Sequence, residues 1–296
     1  MRQRAITLCT VSAAEDSAEL RELSVLHERT FGRPSGLPYY RWMYGRNPER
    51  TTLVAAECEG EILGALGVRR RQMASGLVCA QLMDMIVAPA CRGSGLFADM
   101  AGRAMETVGP IDFWFSHANP GGAQALVRKA AFEIVGRIAV LEGARGRLSA
   151  AGAHSPSQAA FADATADRLV ANDAEATWRF GEHPLFAYSV LGTSAMGPVI
   201  AKEFADGDLS LLDLMTPFQG RDLPELIRAA DDGWQSWSRI YFWSAPHLSA
   251  HAGALAMGFA ERAQARYLVG RATSVAGQRL ADFSQWFVSA SDTEYM

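Results

Sequence analysis

Hydrophobic residues near the start of the chain recur at the spacing of helices. Between about 14 and 29 the leucines fall three apart, which places them on one side of a helix. These residues are Leu20, Leu23 and Leu26. A second helix contains "YYRWMY", and Gly45 followed by Pro48 is a usual signal for its end. A short strand at about 4–9 precedes both helices.

The pattern then changes to that of strands. From 51 to 89 the apolar runs are broken at Glu59-Gly60 and Ser75-Gly76, which predicts three antiparallel strands joined by two hairpins. After a glycine-containing turn, "ACRGSG", helix and strand patterns alternate. We predict a helix in "LFADMAGRAMETV", a strand in "IDFWFS", a helix in "GGAQALVRKAA" and a strand in "FEIVGRIAVLEGA".

Short segments of the first half return in the second half. The W-x-aromatic-G-x-polar-P segment at Trp42–Pro48 recurs at Trp178–Pro184, an offset of 136 residues. Three further pairs follow at offsets of 129, 128 and 127: Asp84 with Asp213, Ser116 with Ser244, and Phe132 with Phe259. Offsets that drift slowly in chain order are typical of a duplication followed by small deletions.

The second half repeats the order of elements as well. We predict strands near 186–192, 197–205 and 209–215, a helix at 221–231, a strand at 239–245, a helix at 248–257 and a strand at 259–271. A small, polar and weakly patterned stretch separates the copies. We therefore expect a first domain at 1–147, a linker at 148–165 and a second domain at 166–296.

Composition and charge narrow the class of protein. The chain is 49% hydrophobic and 20% charged, and no apolar run approaches the ~18 residues that span a bilayer. With no signal peptide recognised, we expect a cytoplasmic protein with no membrane partner. Residues 1–150 carry a net charge of +3 and residues 151–296 a net charge of −7, which mildly favours an anionic ligand for the first half and a cationic one for the second. The sequence has no basic cluster with interleaved aromatic residues, so we expect no nucleic-acid partner.

The four cysteines indicate neither a metal site nor a disulfide framework. They form no C-x-x-C pair, and no histidine lies beside them at ligand spacing. We interpret them as small buried thiols in a reducing compartment. We therefore expect no metal.

The stretch "LMDMIVAPACRGSGLFADMAGRAM" combines a strand, a glycine loop and the start of a helix. Backbone N–H groups from Arg92 to Phe97 can converge on an anion there, and the helix dipole favours negative charge. Gly93 and Gly95 allow close approach of the backbone, so a pyrophosphate would fit. The loop is neither a P-loop nor a G-x-G-x-x-G dinucleotide loop. A plain tight turn is the alternative.

The same stretch resembles the acetyl-CoA signature of the GNAT superfamily of N-acyltransferases, V-x-P-x-x-R-x-x-G-x-[G/A]. Val87, Pro89, Arg92 and Gly95 match it, and Phe97 stands where a small residue is commoner. "ANPGGAQALVRKAAF" resembles the second motif of the family in Asn119, Lys129 and Phe132, with Ala131 in place of a glycine. The resemblance covers about 1–145 well, and 176–271 by repetition.

The resemblance implies an α/β (α+β) fold with two GNAT-like domains, each a mixed, mostly antiparallel sheet flanked by helices. It also implies acetyl-CoA as co-substrate, in a splay between the strand at about 82–88 and the strand at 111–116. Backbone groups of Met85, Ile86 and Val87 would pair with the pantetheine arm, and Asn119 would bond the cofactor or order the loop. The implied pyrophosphate loop consists of Arg92, Gly93, Ser94, Gly95, Leu96 and Phe97.

The second half has lost the signature of the cofactor loop. After "LLDLMTP" there is no R-x-x-G, and Pro224 stands in the first turn of the next helix. We therefore predict one cofactor site, in the first half, with the second half helping to form the acceptor cleft.

Candidate catalytic residues are fewer than the resemblance implies. The tyrosine that serves many GNAT enzymes as general acid is replaced by Val127. Asp84 is a candidate base if burial raises its pKa, although Asp213 in the other copy favours a structural hydrogen bond. His117 is suited to proton transfer, and its counterpart is Ala245, but a plain loop histidine is the alternative.

Two other groups receive structural interpretations. Tyr39 and Tyr40 lie on a segment that lines the acceptor site in many GNAT folds, yet core packing is their simpler use. The run from Arg69 to Arg71 alternates between the faces of a strand and is most simply a solvated edge.

The sequence thus favours an N-acetyltransferase that moves acetyl from acetyl-CoA to a primary amine, either a small molecule or an amino sugar. A Fem-type transferase, which uses the same doubled fold to move an aminoacyl group from tRNA, is one alternative. The intact R-G-S-G loop and the lack of a basic groove argue against it. A non-catalytic acyl-CoA-binding module is the other alternative, which the missing tyrosine and Phe97 leave open.

Overall fold

A computed structural model of the chain describes residues 6–11, 17–32, 36–49, 51–148, 166–170, 172–194, 197–206, 209–216, 218–234, 237–264 and 266–290. The predicted linker lies outside these ranges from 149 to 165. No helix within them is both long and apolar enough to cross a membrane.

The first half contains the predicted order of helices and strands. The elements are β1 (Thr7–Val11), α1 (Ala18–Phe31), α2 (Leu37–Tyr40), β2 (Thr52–Cys58), β3 (Glu61–Met73), β4 (Val78–Val87), α3 (Leu96–Thr107), β5 (Phe113–Ala118), α4 (Pro120–Ala130), β6 (Glu133–Ala144) and α5 (Arg145–Leu148). Ser17 caps α1 by accepting a hydrogen bond from the N–H of Leu20. A π-helical turn, Arg41–Gly45, continues α2 and ends at the predicted glycine.

The two predicted hairpins are confirmed. Strands β2, β3 and β4 pair antiparallel in sequence order. Glu59 and Gly60 in the first turn have φ of 53° and 83°, and Gly76 in the second has φ of 88°. Positive φ at these positions is what tight hairpin turns require.

The second half repeats this order. Its elements are β7 (Leu169–Val170), α6 (Asp173–Ala176), β8 (Tyr188–Ser194), β9 (Gly197–Asp206), β10 (Leu209–Leu214), α7 (Leu223–Gly233), β11 (Trp237–Ser244), α8 (Ser249–Ala256), β12 (Ala260–Glu261) and β13 (Arg266–Ala272). The predicted strand at 259–271 is therefore two strands. They pair with successive parts of β6, β12 with its carboxyl end and β13 with the part before it.

All of these strands belong to one sheet, in which the halves exchange their last strands. The order is β1-β2-β3-β4-β5-β13-β6-β11-β10-β9-β8, with β12 and β7 at the side. Strand β13 of the second half lies between β5 and β6 of the first half, antiparallel to both. Strand β6 of the first half in turn pairs with β11 of the second. From β2 to β8 the order is palindromic, because each of these strands stands where its counterpart stands in the other half; β1 lies outside this pattern.

The helices of the first half cover opposite faces of the sheet. On one face, here called the α3 face, Leu96 and Met100 of α3 and Leu126 of α4 pack on Leu82 and Val269. On the other, the α1 face, Leu20, Leu23 and Leu26 of α1 and the aromatic residues of α2 pack on Met83 and Ile86. The two faces matter because the cleft described below opens onto both.

A buried ion-pair cluster joins the halves and corrects one expectation. Arg69 and Arg71 of β3 are not on a solvated edge: they are 0% and 4% exposed. Both pair with the carboxylate of Glu175 in α6, which is 1% exposed, Arg71 at 3.2 Å. The Arg69 guanidinium also lies 5.0 Å from the ring centre of Trp178. A charged strand residue is thus held inside because the other half supplies its partner.

Candidate active site

A splay between two parallel strands opens the site. β4 pairs with β5 at three positions only, Cys79–Phe113, Ala80–Trp114 and Gln81–Phe115. β4 then runs on to Val87 and β5 to Ala118 without pairing to each other. The two strand ends diverge and border a cleft of about 1310 Å³. The splay lies where the resemblance implies it.

A β-bulge in β4 divides the side chains of this strand between the two faces. Ala65 pairs with Ile86 and Gly67 with Met83, so two residues of β4, Asp84 and Met85, face one residue of β3. Asp84 has φ of 47°, which is rare for a residue with a side chain. The extra residue turns Asp84 toward the α1 face, while Met85 packs with the α3 face.

The cleft therefore passes through the sheet and has two ends. The α3-face end is walled by the loop before α3, by Met85 and Val87, and by the first turns and basic end of α4. The α1-face end is walled by side chains of α1 and by polar residues of the strands. These α1-face residues are His27, Thr30, Phe31, Gln81, Asp84, His117 and Arg266.

The loop before α3 presents backbone N–H groups to the cleft. Gly93 and Gly95 have φ of 83° and 93°, and a Cβ at either would meet nothing within 4 Å. Among the described residues none accepts a hydrogen bond from the N–H of Gly93, Gly95 or Phe97. These donors lie at the amino end of a twelve-residue helix, where the dipole favours negative charge.

Most of the predicted cofactor residues line this cleft. Eight of the ten do so: Met85, Ile86, Val87, Arg92, Gly93, Gly95, Phe97 and Asn119. Ser94 donates its hydroxyl to the carbonyl of Cys91, and Leu96 is buried under α3 at 4% exposed. Asn119 caps α4 by accepting from the N–H of Gly122 at 2.8 Å. The loop and the cap give two helix amino ends that face one cleft.

Basic side chains gather at the α3-face end. Arg92 lies on the loop, and Arg128 and Lys129 lie in the last turn of α4. Asp84 is the one carboxylate among the described residues that line the cleft. This end of the cleft thus favours a ligand with several negative charges.

Asp84 is held by two tyrosine hydroxyls. Tyr44 donates to Oδ2 at 2.8 Å and Tyr39 to Oδ1 at 3.4 Å. Burial, together with the adjacent carboxylate, holds the pKa of Tyr44 well above its usual range, so the phenol stays a donor. A Cβ on Gly67 would lie 2.3 Å from the Tyr44 hydroxyl, so glycine is needed at this position of β3. The sequence analysis predicted only core packing for Tyr39, whereas its hydroxyl also donates to the carboxylate of Asp84.

His27 is a site residue that the sequence analysis missed. Its Nδ1 lies 2.7 Å from the Tyr40 hydroxyl, and its ring packs on Phe31 at 4.7 Å between centres. The sequence feature that could have revealed it is its position four residues after Leu23, which places it on the buried side of α1. A histidine on such a stripe beside an adjacent Tyr-Tyr pair indicates a polar cluster under the helix.

The second half supplies part of the wall around His117. The His117 ring lies 5.5 Å from that of Phe115 and 6.2 Å from that of Trp243 in β11. Its strand neighbour is β13, where Leu268 pairs with it. Arg266 and Tyr267 of β13 also line the cleft. Asp84 and His117 therefore border the same cleft, but on different strands of the splay.

The corresponding region of the second half is closed. β10 pairs with β11 from Ser210 to its end at Leu214, so no splay opens between them in the described residues. Asp213 lies 3.5 Å from the Nζ of Lys202, which contacts the rings of Phe186 and Phe204. Beyond the strand ends, 287–289 line a cavity of about 10 Å³.

The described residues contain no cluster of three or more His, Cys, Asp or Glu side chains that could hold a metal ion. All four cysteines are free thiols; Cys58 and Cys79 are buried, whereas Cys9 and Cys91 are half-buried. Burial raises the pKa of Cys79 to about 12, so it is a structural thiol.

Comparison with solved structures places this architecture among known ones. A GCN5-related N-acetyltransferase from Anabaena variabilis superposes with a TM-score of 0.63 at 16% identity, over 92% of this chain and 74% of that one. A second GCN5-related N-acetyltransferase, from Kribbella flavida, superposes with a TM-score of 0.61 at 13% identity, over 94% of this chain and 74% of that one. A tandem GNAT protein from the clavulanic acid biosynthesis pathway superposes with a TM-score of 0.53 at 12% identity, over 90% of this chain and 99% of that one. In sequence, the chain matches no family model and no curated protein.

Proposed function

The chain has the GNAT fold in tandem, and on that premise we propose that it is an N-acetyltransferase that moves acetyl from acetyl-CoA to a primary amine. The acceptor is a small molecule, with amino sugars among the candidates. The single reaction site would lie in the splay of the first half, and residues of the second half would complete its wall.

One observation carries the proposal: the unpaired edge of β4 leads directly to the N–H-rich loop before α3. An extended arm with amide groups can pair with Met85, Ile86 and Val87 as an added strand would. Its phosphates then meet the N–H groups of Gly93, Gly95 and Phe97. Arg92, Arg128 and Lys129 line the same end of the cleft. Acetyl-CoA has this combination of amide arm and phosphates, and supplies an activated acyl thioester.

The side chains on the α1 face suit the acceptor amine. Asp84 is oriented by Tyr39 and Tyr44, and a carboxylate in this position holds an ammonium and takes its proton. His117, across the splay, is the second candidate for moving a proton. Cofactor and acceptor enter this cleft from opposite ends, and holding the amine next to the thioester where they meet converts their encounter into an intramolecular one. Asp84 and His117 are the catalytic residues of this proposal.

The proposal requires no tyrosine acid on α4. Val127 stands at that position and is 38% exposed. A thiol of ordinary pKa, about 8.5, leaves readily as thiolate and is then protonated by solvent near neutral pH, so no protein acid is needed. Three of the four Lys and Arg side chains that line the cleft lie at the phosphate end, so the described residues form no continuous basic groove for tRNA along it.

Calorimetry with acetyl-CoA tests the cofactor site. We expect binding by the wild type and its loss in Gly95→Glu, because the new carboxylate repels phosphates in the loop. Gly76→Glu is the matched control: Gly76 also has positive φ and open space around its Cβ, but lies in a hairpin outside the cleft. Absence of binding by the wild type, or equal loss in both variants, contradicts the proposal.

A thiol-release screen over amines, amino sugars and peptides tests the reaction. CoA release that depends on an amine and is lost in Asp84→Asn supports acyl transfer. Tight binding of acetyl-CoA with no release for any amine instead indicates a non-catalytic acyl-CoA-binding module.

A further inference from the structure

The α1-face end of the cleft contains a positive charge as well as the carboxylate. Arg266 begins β13, and strand alternation places it on the face of Leu268, which packs with Phe113 and Phe115. Arg271, on the alternate face, reaches the carbonyl of Ala130 at the end of α4. Arg266 therefore lies away from the phosphate loop and on the side of the sheet where Asp84 lies.

The second half holds this arginine in place. The Arg266 guanidinium lies 5.7 Å from the ring centre of Trp243, whose ring also contacts that of His117. Trp243 is 8% exposed, so it offers a fixed surface. An arginine stacked on a buried indole loses little further freedom when it binds an anion.

Strand register places Arg266 and Asp84 at the same height in the sheet. Gln81–Phe115 is the last pair of β4 with β5, and counting three residues along each strand puts Asp84 near the level of Ala118. Ala118 pairs with Tyr267, the neighbour of Arg266. Only β5 separates β4 from β13, which puts their backbones about 10 Å apart plus the opening of the splay. The carboxylate of Asp84 and the long side chain of Arg266 can thus hold a molecule of a few bonds' length between them.

We infer that the acceptor is an amine that also carries an acidic group, such as a carboxylate or a phosphonate. Its ammonium pairs with Asp84 and its acid with Arg266, whose planar guanidinium suits a two-oxygen anion. The inference rests on the proposed function, and it replaces a general primary amine with a zwitterionic one. Arg266 is then a specificity-determining residue contributed by the second half.

Matched pairs of amines test the inference by calorimetry on the protein saturated with CoA. Each pair consists of an acid-bearing amine and its acid-free counterpart: serine with ethanolamine, phenylalanine with phenethylamine, lysine with cadaverine, and 2-aminoethylphosphonate with ethylamine. We expect the wild type to favour the acid-bearing member by about tenfold or more in at least one pair.

The variants assign that preference to Arg266. Arg266→Gln should abolish it while leaving the affinity for acetyl-CoA unchanged, and Arg266→Lys should keep part of it, because lysine retains charge without the planar fork. Arg271→Gln, on the same strand but the other face, should keep all of it.

The inference is overturned if no pair shows a preference for the acid-bearing member, including the case in which no amine of the panel binds. A preference that survives Arg266→Gln overturns it equally. The proposed function fails separately, when the wild type does not bind acetyl-CoA. If acetyl-CoA binds and acid-free amines are acetylated without preference, the inference is overturned and the proposed function stands.

Discussion

The indole rings of Trp42 and Trp178 stack on each other with centres 4.2 Å apart and planes 10° from parallel. Each indole also donates a hydrogen bond to the backbone carbonyl of the other residue, at 2.9 and 3.0 Å. The W-x-aromatic-G-x-polar-P segments that reveal the repeat in the sequence are therefore in direct contact. They form a two-fold symmetric joint, in which each copy of the segment binds the other.

We expect Trp42→Phe and Trp178→Phe to destabilise the protein by similar amounts, about 1–3 kcal/mol each. Each change leaves one backbone carbonyl without its hydrogen-bond donor and reduces the area over which the two rings stack. Both tryptophans are only 2% exposed, so water cannot replace the lost contacts. Urea unfolding measures the loss.

The double variant should lose less than the two single changes added together, because both act on one joint. Trp286→Phe is the control: this indole also donates to a buried carbonyl, but in another part of the core. Its cost should add to that of Trp178→Phe. Strict additivity at the joint would contradict the coupling that the geometry implies.

Gly67→Ala should disturb Asp84 through Tyr44. The new methyl would meet the Tyr44 hydroxyl at 2.3 Å and Met83 at 3.0 Å, so we expect a loss of about 1–3 kcal/mol of stability. The double variant Gly67→Ala/Tyr44→Phe should regain part of it, because phenylalanine lacks the clashing oxygen. Thermal unfolding of the three variants checks this order; a double variant no better than Gly67→Ala would count against it.

Tyr44→Phe alone removes a donor from the carboxylate of Asp84. Under the proposed function, the loss of this orienting hydrogen bond should lower kcat/KM by about tenfold, because the carboxylate no longer meets the amine in a fixed position. Tyr40→Phe, whose hydroxyl meets His27 instead, serves as control and should lower kcat/KM less. An unchanged kcat/KM in Tyr44→Phe argues against Asp84 as the base.

Glu175→Gln should cost about 3–5 kcal/mol, because it leaves two buried guanidinium groups without their shared carboxylate. Glu49 offers a matched comparison: it lies 3.6 Å from Arg69 but is 26% exposed. Glu49→Gln should therefore cost less than about 1 kcal/mol. Chemical denaturation separates the two, and equal costs would show that the cluster is not a specific joint between the halves.

The Asp213–Lys202 pair should make stability depend on pH. Burial raises the pKa of Asp213 from 3.8 to about 6 despite the adjacent ammonium. The folded state thus binds this proton more tightly than the unfolded state, so its contribution is largest below pH 3.8 and falls as pH rises to about 6. The double variant Asp213→Leu/Lys202→Met should lack that fall and match or exceed the wild type at pH 7. Unfolding free energies at pH 4, 5, 6 and 7 provide the measurement.

The sequence allowed the elements and the repeat to be predicted, because periodicity and turn residues act locally. The hairpins at Gly60 and Gly76 and the glycine loop before α3 follow from such signals. Strand exchange could not be predicted, since the apolar pattern of β13 fits any neighbour in a sheet. The predicted single strand at 259–271 was wrong for the same reason.

The polar residues of the interior were harder to predict. Arg69 and Arg71 are charged, and a solvated position is the usual one unless a partner over 100 residues away is known. The role of Tyr44 depends on Gly67, a strand neighbour that the sequence does not single out. Arg266 acquires its place only through β13, so the α1-face end of the cleft could not be assembled from local signals.

The exchanged strands also set an order of events in biosynthesis. About 120 residues separate the end of β6 from the start of β13. At ~5–20 residues per second, a ribosome needs several seconds to add them, and the edges of β5 and β6 that β13 covers lack this partner throughout. The nascent first half therefore exposes strand edges that can aggregate, and the wall of the cleft is complete only once β13 has emerged.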